Sequence, residues 1–245
     1  MARLIIYPHG LGDIILLTPA LRALAGERPH VAILKRFEGT GILDLCPHIG
    51  GAHHVLPDPW NDHGGQRWCL ATGVNLAKEL GLDAVWIWHR PGKHKIKENM
   101  FFLGVANGDY RTEVYLDPTD EHRQAGGDYG FLHCKTGMPG LSTAAPKKDF
   151  DSDAGRRWLL GHGCKTVVEV GVEMPLSLRM SMQFLVMNGA ARVCLADSVF
   201  YHACHAMGKT VDFAYFGRGA DVHKVVRPLH DYKELVSWTP PTSSE

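Results

Sequence analysis

Charge of one sign is what this sequence most plainly lacks: 26 lysines and arginines are balanced by 26 aspartates and glutamates. A chain without a global positive field is not built to coat a polyanion, although a local basic patch stays open to it. Long apolar runs are missing as well. No stretch approaches the ~18 residues that a bilayer span needs, and the opening "RLIIYPHG" is too short and wrongly flanked for a signal peptide. A cytoplasmic address is expected. Cysteines are few and scattered, with no CxxC pair among Cys46, Cys69, Cys134, Cys164, Cys194 and Cys204. Several sit inside apolar runs, so reduced core thiols are expected, not a disulfide framework or a zinc site. Two phosphate fingerprints are absent too, GxGxxG and GxxxxGK[ST]; a nicotinamide oxidoreductase and a P-loop nucleotidase both fail on that ground.

What is present is an ordinary globular composition, 45% hydrophobic and 21% charged over 245 residues. That length builds one large domain or two small ones around a real core. Histidine is abundant at 15. The run "HIGGAHHVLPDPWNDHGG" carries His48, His53, His54 and His63 beside Asp58 and Asp62. It has no HExxH spacing and many loop formers, so it reads as a polar surface loop with no metal assigned. Trp60 and Trp68 flank its end, placed either to stack on a sugar or base or to pack beneath the loop.

The apolar pattern alternates between short strand-like runs and longer helical stretches. Strands are expected at 3–7, 30–34, 52–56 and 83–88, with helices over 13–24, 67–80 and the apolar "ENMFFLGV". Gly81 supplies a stop for the second helix. After the loop-forming "LDPTDEHRQAGGD" (116–128) a second series begins: strands at 129–134, 165–170, 192–196 and 210–216, helices at 152–160, 177–190 and across "SVFYHACHAMG". Strand–helix alternation twice over predicts two parallel, Rossmann-like sheets. The expected division is 1–120, 121–235 and a tail of disordered composition, 236–245.

Open α/β sheets bind ligands at the carboxyl ends of their strands, near topological switch points. Three loops after strands are therefore informative. In "YPHGLGDIILLTPAL", Gly10 and Gly12 allow close backbone approach, and Asp13 stands where strand hands over to helix. Asp13 reads equally as a helix N-cap or as a proton acceptor, and a helix N-terminus stabilises its ionised form by about 0.3–1 kcal/mol. Pro19 is expected to kink the helix or mark a restart. In "ADSVFYHACHAMGKTVDFAYFG", Asp197 and Ser198 open a helix with His202 one turn on, which suits either a diphosphate or a plain helix cap. In "HCKTGMPGLSTAAPKKDFDSD", Lys135, Thr136, Ser142, Thr143, Lys147 and Lys148 suit phosphate contact or simple solvation.

The block "GLGDIILLTPALRAL" resembles the opening motif of the heptosyltransferase-like glycosyltransferases, a GD followed by an apolar run and TP-x-L. "LADSVFYHACHAMGKTVDFAYFG" resembles the same family's C-terminal signature, and "SLRMSMQFLVMNGAARVCLADS" matches the helix and strand before it. The resemblance covers most of 1–230 and implies a GT-B architecture, two Rossmann-like domains facing across a cleft. It implies inverting, metal-independent transfer of a sugar from a nucleotide-diphosphate donor, often ADP-heptose, with no cofactor. By motif match Asp13 is the general base, Asp197, Ser198 and His202 lie in the donor loop, and Lys147 or Lys148 stabilises the leaving diphosphate. Val199 departs from the pattern, standing where the family has glycine, and the N-terminal half is shorter than in typical members.

On the acceptor side, "HRPGKHKIKEN" follows the strand at 83–88. With Gly12, its Arg90, Lys93 and His94 are expected to meet an anionic glycan, a lipid-linked acceptor or a small molecule; His89, Lys95 and Lys97 lie in the same stretch. Two other readings stay open: transfer to a modified nucleic-acid base, and a nucleotide-sugar binder without catalysis.

Overall fold

The computed structural model describes residues 2–57, 65–90, 93–105, 109–117, 126–135 and 149–215. The chain forms two compact units, dividing between Tyr115 and Leu116. In the first unit, strands β1 (Arg3–Ile6), β2 (His30–Leu34), β3 (His54–Leu56) and β4 (Asp83–Trp86) form one parallel sheet ordered β3-β2-β1-β4. Helices α1 (Leu11–Ala23), α2 (Gly65–Leu80) and α3 (Lys95–Leu103) accompany it. In the second unit, β5 (Gly127–His133), β6 (Thr166–Glu169), β7 (Ala190–Ala196) and β8 (Phe213–Tyr215) are parallel in the order β6-β5-β7-β8. Its helices are α4 (Ser152–Gly161), α5 (Met180–Gly189) and α6 (Val199–Met207). Two Rossmann-like parallel sheets are what the alternating pattern predicts.

Strand order decides where a ligand has room. The first unit winds outward from β1 through β2 to β3, then returns to place β4 on the other side of β1. The carboxyl ends of β1 and β4 are thus a switch point, the position at which open α/β sheets take their ligands. The second unit has its switch point between β5 and β7 by the same reasoning.

Each sheet is buried where its strands read as continuous apolar runs. Leu4, Ile5, Ile6 and Tyr7 are wholly buried, as are Phe131 and Leu132 in the second unit. Close approach of helix to sheet requires glycine at Gly130, where a Cβ would lie 2.7 Å from Leu159 Cδ2 on α4. Helix α2 ends as expected at Gly81, whose φ of 67° suits a residue without a Cβ. All six cysteines are buried free thiols. No helix among the described residues is long and apolar enough to cross a membrane.

Several local expectations are corrected. Helix α1 begins at Leu11 with Gly10 as N-cap, so Asp13 is its third residue, not its cap. Nor is α1 amphipathic: every residue from Ile14 to Leu21 is buried, because sheet and neighbouring elements cover it on all sides. It also runs unbroken through Pro19. Proline cannot donate to the Ile15 carbonyl, and Thr18 Oγ1 donates to that carbonyl instead at 2.7 Å. Helix α5 starts at Met180, not 177, with the Leu178 carbonyl taken by the Gln183 side chain at 2.6 Å. Strand β4 stops at Trp86, where β1 runs out of partners at Ile6. The histidine-rich run is dispersed: His48 meets Glu113 at 2.9 Å, His53 approaches Asp44 at 3.5 Å, and His54 pairs with His30 at 3.0 Å. Asp58, Trp60, Asp62, His63 and the tail lie outside the described residues.

Candidate active site

At the first switch point, β1 ends in Tyr7, Pro8, His9 and Gly10, and α1 follows at once. The sequence makes this turn because Pro8 and Gly10 end the ladder and Gly10 lacks a side chain to obstruct the helix start. The Gly10 N–H donates to Asp13 Oδ2 at 3.2 Å, one half of a capping box. Tyr7 is fully buried, and its hydroxyl donates to the Asp13 carbonyl at 2.8 Å, fixing the backbone that carries the carboxylate.

The loop after β4 supplies the opposite wall. His89 stacks on His9 with ring centroids 4.1 Å apart and planes within 14°. His9 Nε2 donates to the Ile87 carbonyl at 3.0 Å. His89 Nε2 donates to Asn99 Oδ1 at 2.8 Å, while Asn99 Nδ2 donates to the Leu16 carbonyl at 2.9 Å. Asn99, wholly buried on α3, thereby ties α3, α1 and the loop after β4 together. From the first residue of α3, Lys95 Nζ forms an ion pair with Asp13 Oδ1; the two side chains are 25% and 16% exposed.

Charge in this pocket follows from burial and that pair. Burial pushes the Asp13 carboxyl up, but the Lys95 ammonium overrides it and holds the group well below the usual carboxylate range. Burial and the neighbouring His89 push His9 down to about 4. Burial also lowers His89, against the opposing pull of Asp13. Near neutral pH the pocket thus presents an anionic carboxylate beside two uncharged imidazoles.

The expected acceptor residues divide. Gly12 lies in the first turn of α1 beside Asp13, and Lys93 is exposed near the start of α3. His94 is the N-cap of α3, and burial with the nearby Lys97 charge pushes it down to about 4. Arg90 is exposed, and its guanidinium makes paired hydrogen bonds to the buried Glu98, at 2.8 and 2.5 Å, and lies 4.9 Å over the Phe101 ring. That pair is a brace for the loop. Three residues of the pocket, Tyr7, His9 and Asn99, went unselected in the sequence. His9 was findable, since it sits in the very loop that the switch-point rule singles out.

At the second switch point, Asp197 follows β7 and Ser198 is the N-cap of α6. Asp197 is buried, and its N–H donates to the Tyr215 carbonyl at 2.9 Å. The Ser198 side chain makes no cap hydrogen bond, so the plain-cap reading fails for it; its buried Oγ has no hydrogen-bond partner among the described residues. His202 is buried one turn further on, edge-on to Tyr201 at 5.4 Å. His133, at the end of adjacent β5, is packed on Phe200 with centroids 4.7 Å apart. Lys147 and Lys148 lie outside the described residues.

No protein-family model matches this sequence, and no curated protein matches it. Solved structures do. The glycosyl transferase family 9 protein from Veillonella parvula DSM 2008 is similar with a TM-score of 0.59 at 13% identity, over 86% of this chain and 79% of that one. ADP-heptose LPS heptosyltransferase II of E. coli is similar with a TM-score of 0.52 at 12% identity, over 88% and 85%. The dodecameric iron-containing heptosyltransferase TibC, solved with ADP-D-beta-D-heptose, gives 0.53 at 12%, over 86% of this chain and 57% of that one. What is shared at such identities is the fold. The chain has the GT-B class of fold, two Rossmann-like units in sequence, as the motif resemblance implies.

Proposed function

We propose that this protein is a glycosyltransferase that moves a sugar from a nucleotide-diphosphate donor to an acceptor hydroxyl, with inversion and without need of a metal. The observation that carries the reading is Asp13: a carboxylate kept ionised at the switch point of the first sheet, its backbone clamped by Tyr7 and its oxygens held by Gly10 and Lys95. The acceptor oxygen attacks the anomeric carbon opposite the diphosphate. Its proton passes to Asp13 as the new C–O bond forms and the bond to the diphosphate breaks. The carboxylate is a weak base and acts late, once the attacking oxygen has become acidic.

The second unit takes the donor. The amide groups opening α6 and the unpartnered Ser198 hydroxyl suit diphosphate oxygens, with Asp197 and His202 beside them. Lys147 or Lys148 balances the charge of the leaving group. Gly12, Arg90, Lys93 and His94 meet an anionic glycan, a lipid-linked acceptor or a small molecule, and the protein works in the cytoplasm. A second reading, a nucleotide-sugar binder that does not transfer, is favoured by the Lys95–Asp13 pair, which lowers the basicity of the carboxylate.

The test has two stages. ADP, UDP and GDP are screened for thermal stabilisation of the full chain, since a ligand bound only by the folded state raises its stability. Transfer from the matching sugar donor is then compared with that of Asp13→Asn. We expect a loss of about 10²–10⁴-fold in rate with nucleotide binding retained. Wild-type rates in Asp13→Asn would remove the base, and nucleotide binding without transfer to any acceptor would select the second reading.

A further inference from the structure

We propose that His9, His89 and Asp13 form a site for a divalent transition-metal cation of the zinc or ferrous type, with Lys95 holding the carboxylate when the metal is absent. The argument starts from tautomers. A carbonyl oxygen only accepts, so His9 Nε2, 3.0 Å from the Ile87 oxygen, carries the proton and Nδ1 keeps its lone pair. Asn99 must turn its amide nitrogen to the Leu16 carbonyl at 2.9 Å, which presents Oδ1 to His89 at 2.8 Å. His89 Nε2 therefore also carries the proton, and its Nδ1 is buried with no hydrogen-bond partner among the described residues. Each ring is thus oriented through its Nε2 by a carbonyl group, the kind of support that metal-ligating histidines use.

The three side chains also lie close together. One atom from each of His9, His89 and Asp13 lies within 4.8 Å of the other two, the sole such grouping of three among the described residues. A tetrahedral site with bonds of about 2.0–2.1 Å has ligand atoms roughly 3.3 Å apart, so closure asks for shifts of about an ångström. Two neutral imidazoles and one carboxylate suit zinc or iron(II) and leave positions for water or a substrate oxygen. Magnesium and calcium prefer oxygen alone. The Lys95 ammonium competes for the same carboxylate, and its side chain, 25% exposed, has solvent to turn into. Occupancy is therefore an exchange of one cation for another.

The site rests on this geometry; its consequence rests on the transfer reading. A metal on Asp13 takes the lone pairs that the base uses, so a filled site inhibits transfer, and a chelator restores it.

The experiment is a titration of the full wild-type chain with Co²⁺, read by its visible absorption, with Zn²⁺ as competitor and no sugar donor present. One equivalent is expected to give a tetrahedral or five-coordinate spectrum. His9→Ala and His89→Ala are each expected to weaken binding at least about a hundredfold, with unchanged circular dichroism. Lys95→Met is expected to tighten it about five- to tenfold, a gain that misfolding cannot produce. His30→Ala, at the other histidine pair, leaves it unchanged. Absence of the Co²⁺ spectrum, equal binding by His9→Ala, or loss on His30→Ala overturns the proposal. Because no donor is present, failure here leaves the transfer reading standing, and failure of transfer leaves the metal site standing.

Discussion

Removing the Thr18 hydroxyl tests why a threonine precedes the proline inside α1. Thr18 is 2% exposed, and its Oγ1 serves two backbone groups at once. It donates to the Ile15 carbonyl at 2.7 Å, the group that Pro19 leaves without an amide partner, and it accepts the Glu113 N–H at 2.8 Å. Thr18→Val keeps the shape and strands both groups. At about 1–3 kcal/mol for each of the two groups left unpaired, the expected loss is about 2–6 kcal/mol. Pro19→Ala returns an N–H to the helix, and its value depends on the background. With Thr18 present the Ile15 carbonyl is already satisfied; in Thr18→Val the new amide takes it over. The double mutant should therefore recover about 1 kcal/mol more than the single effects add up to. Urea unfolding of the four proteins, followed by tryptophan fluorescence, gives the cycle, and Thr18→Ser, which keeps the oxygen, serves as control. A coupling of zero, or a wild-type midpoint for Thr18→Val, would refute the reasoning.

Other expectations follow from the same contacts. Burial pushes the Glu113 carboxyl up, but hydrogen bonds from Arg22 and His48 outweigh it and the group titrates below its ordinary value. Such a carboxylate stabilises the fold above its unfolded pKa of about 4.3, and the contribution is lost as pH falls through the folded value. Glu113→Gln should therefore lower the free energy of urea unfolding near pH 7 by about 1–2 kcal/mol, with the gap narrowing toward pH 3. A gap constant across that range would contradict the assignment. In the second unit, Gly130→Ala places a methyl 2.7 Å from Leu159 Cδ2 and is expected to cost about 1–3 kcal/mol. Leu159→Val in the same chain should recover part of that in thermal unfolding; if it recovers none, the clash is not the cause.

Much was decided by local pattern alone. Short apolar runs separated by longer helical ones settle that both units are parallel α/β sheets, because a chain with that period buries itself no other way. Asp13 was visible too, since a carboxylate in the loop after the first strand lies at a sheet's carboxyl edge wherever the strands are parallel. Ser198 was visible by the same logic, though not that its hydroxyl leaves the helix end uncapped. Tertiary structure decided the partners. Lys95 and Asp13 are 82 residues apart, and His9 and the Ile87 carbonyl 78. They meet because β4 pairs beside β1 in register, Ile6 against Trp86, which no local pattern encodes. The same pairing set Arg90 against Glu98 and buried α1 from Ile14 to Leu21. Side-chain chemistry is written residue by residue, whereas which charges neutralise each other depends on strand order and is set only when the sheet closes.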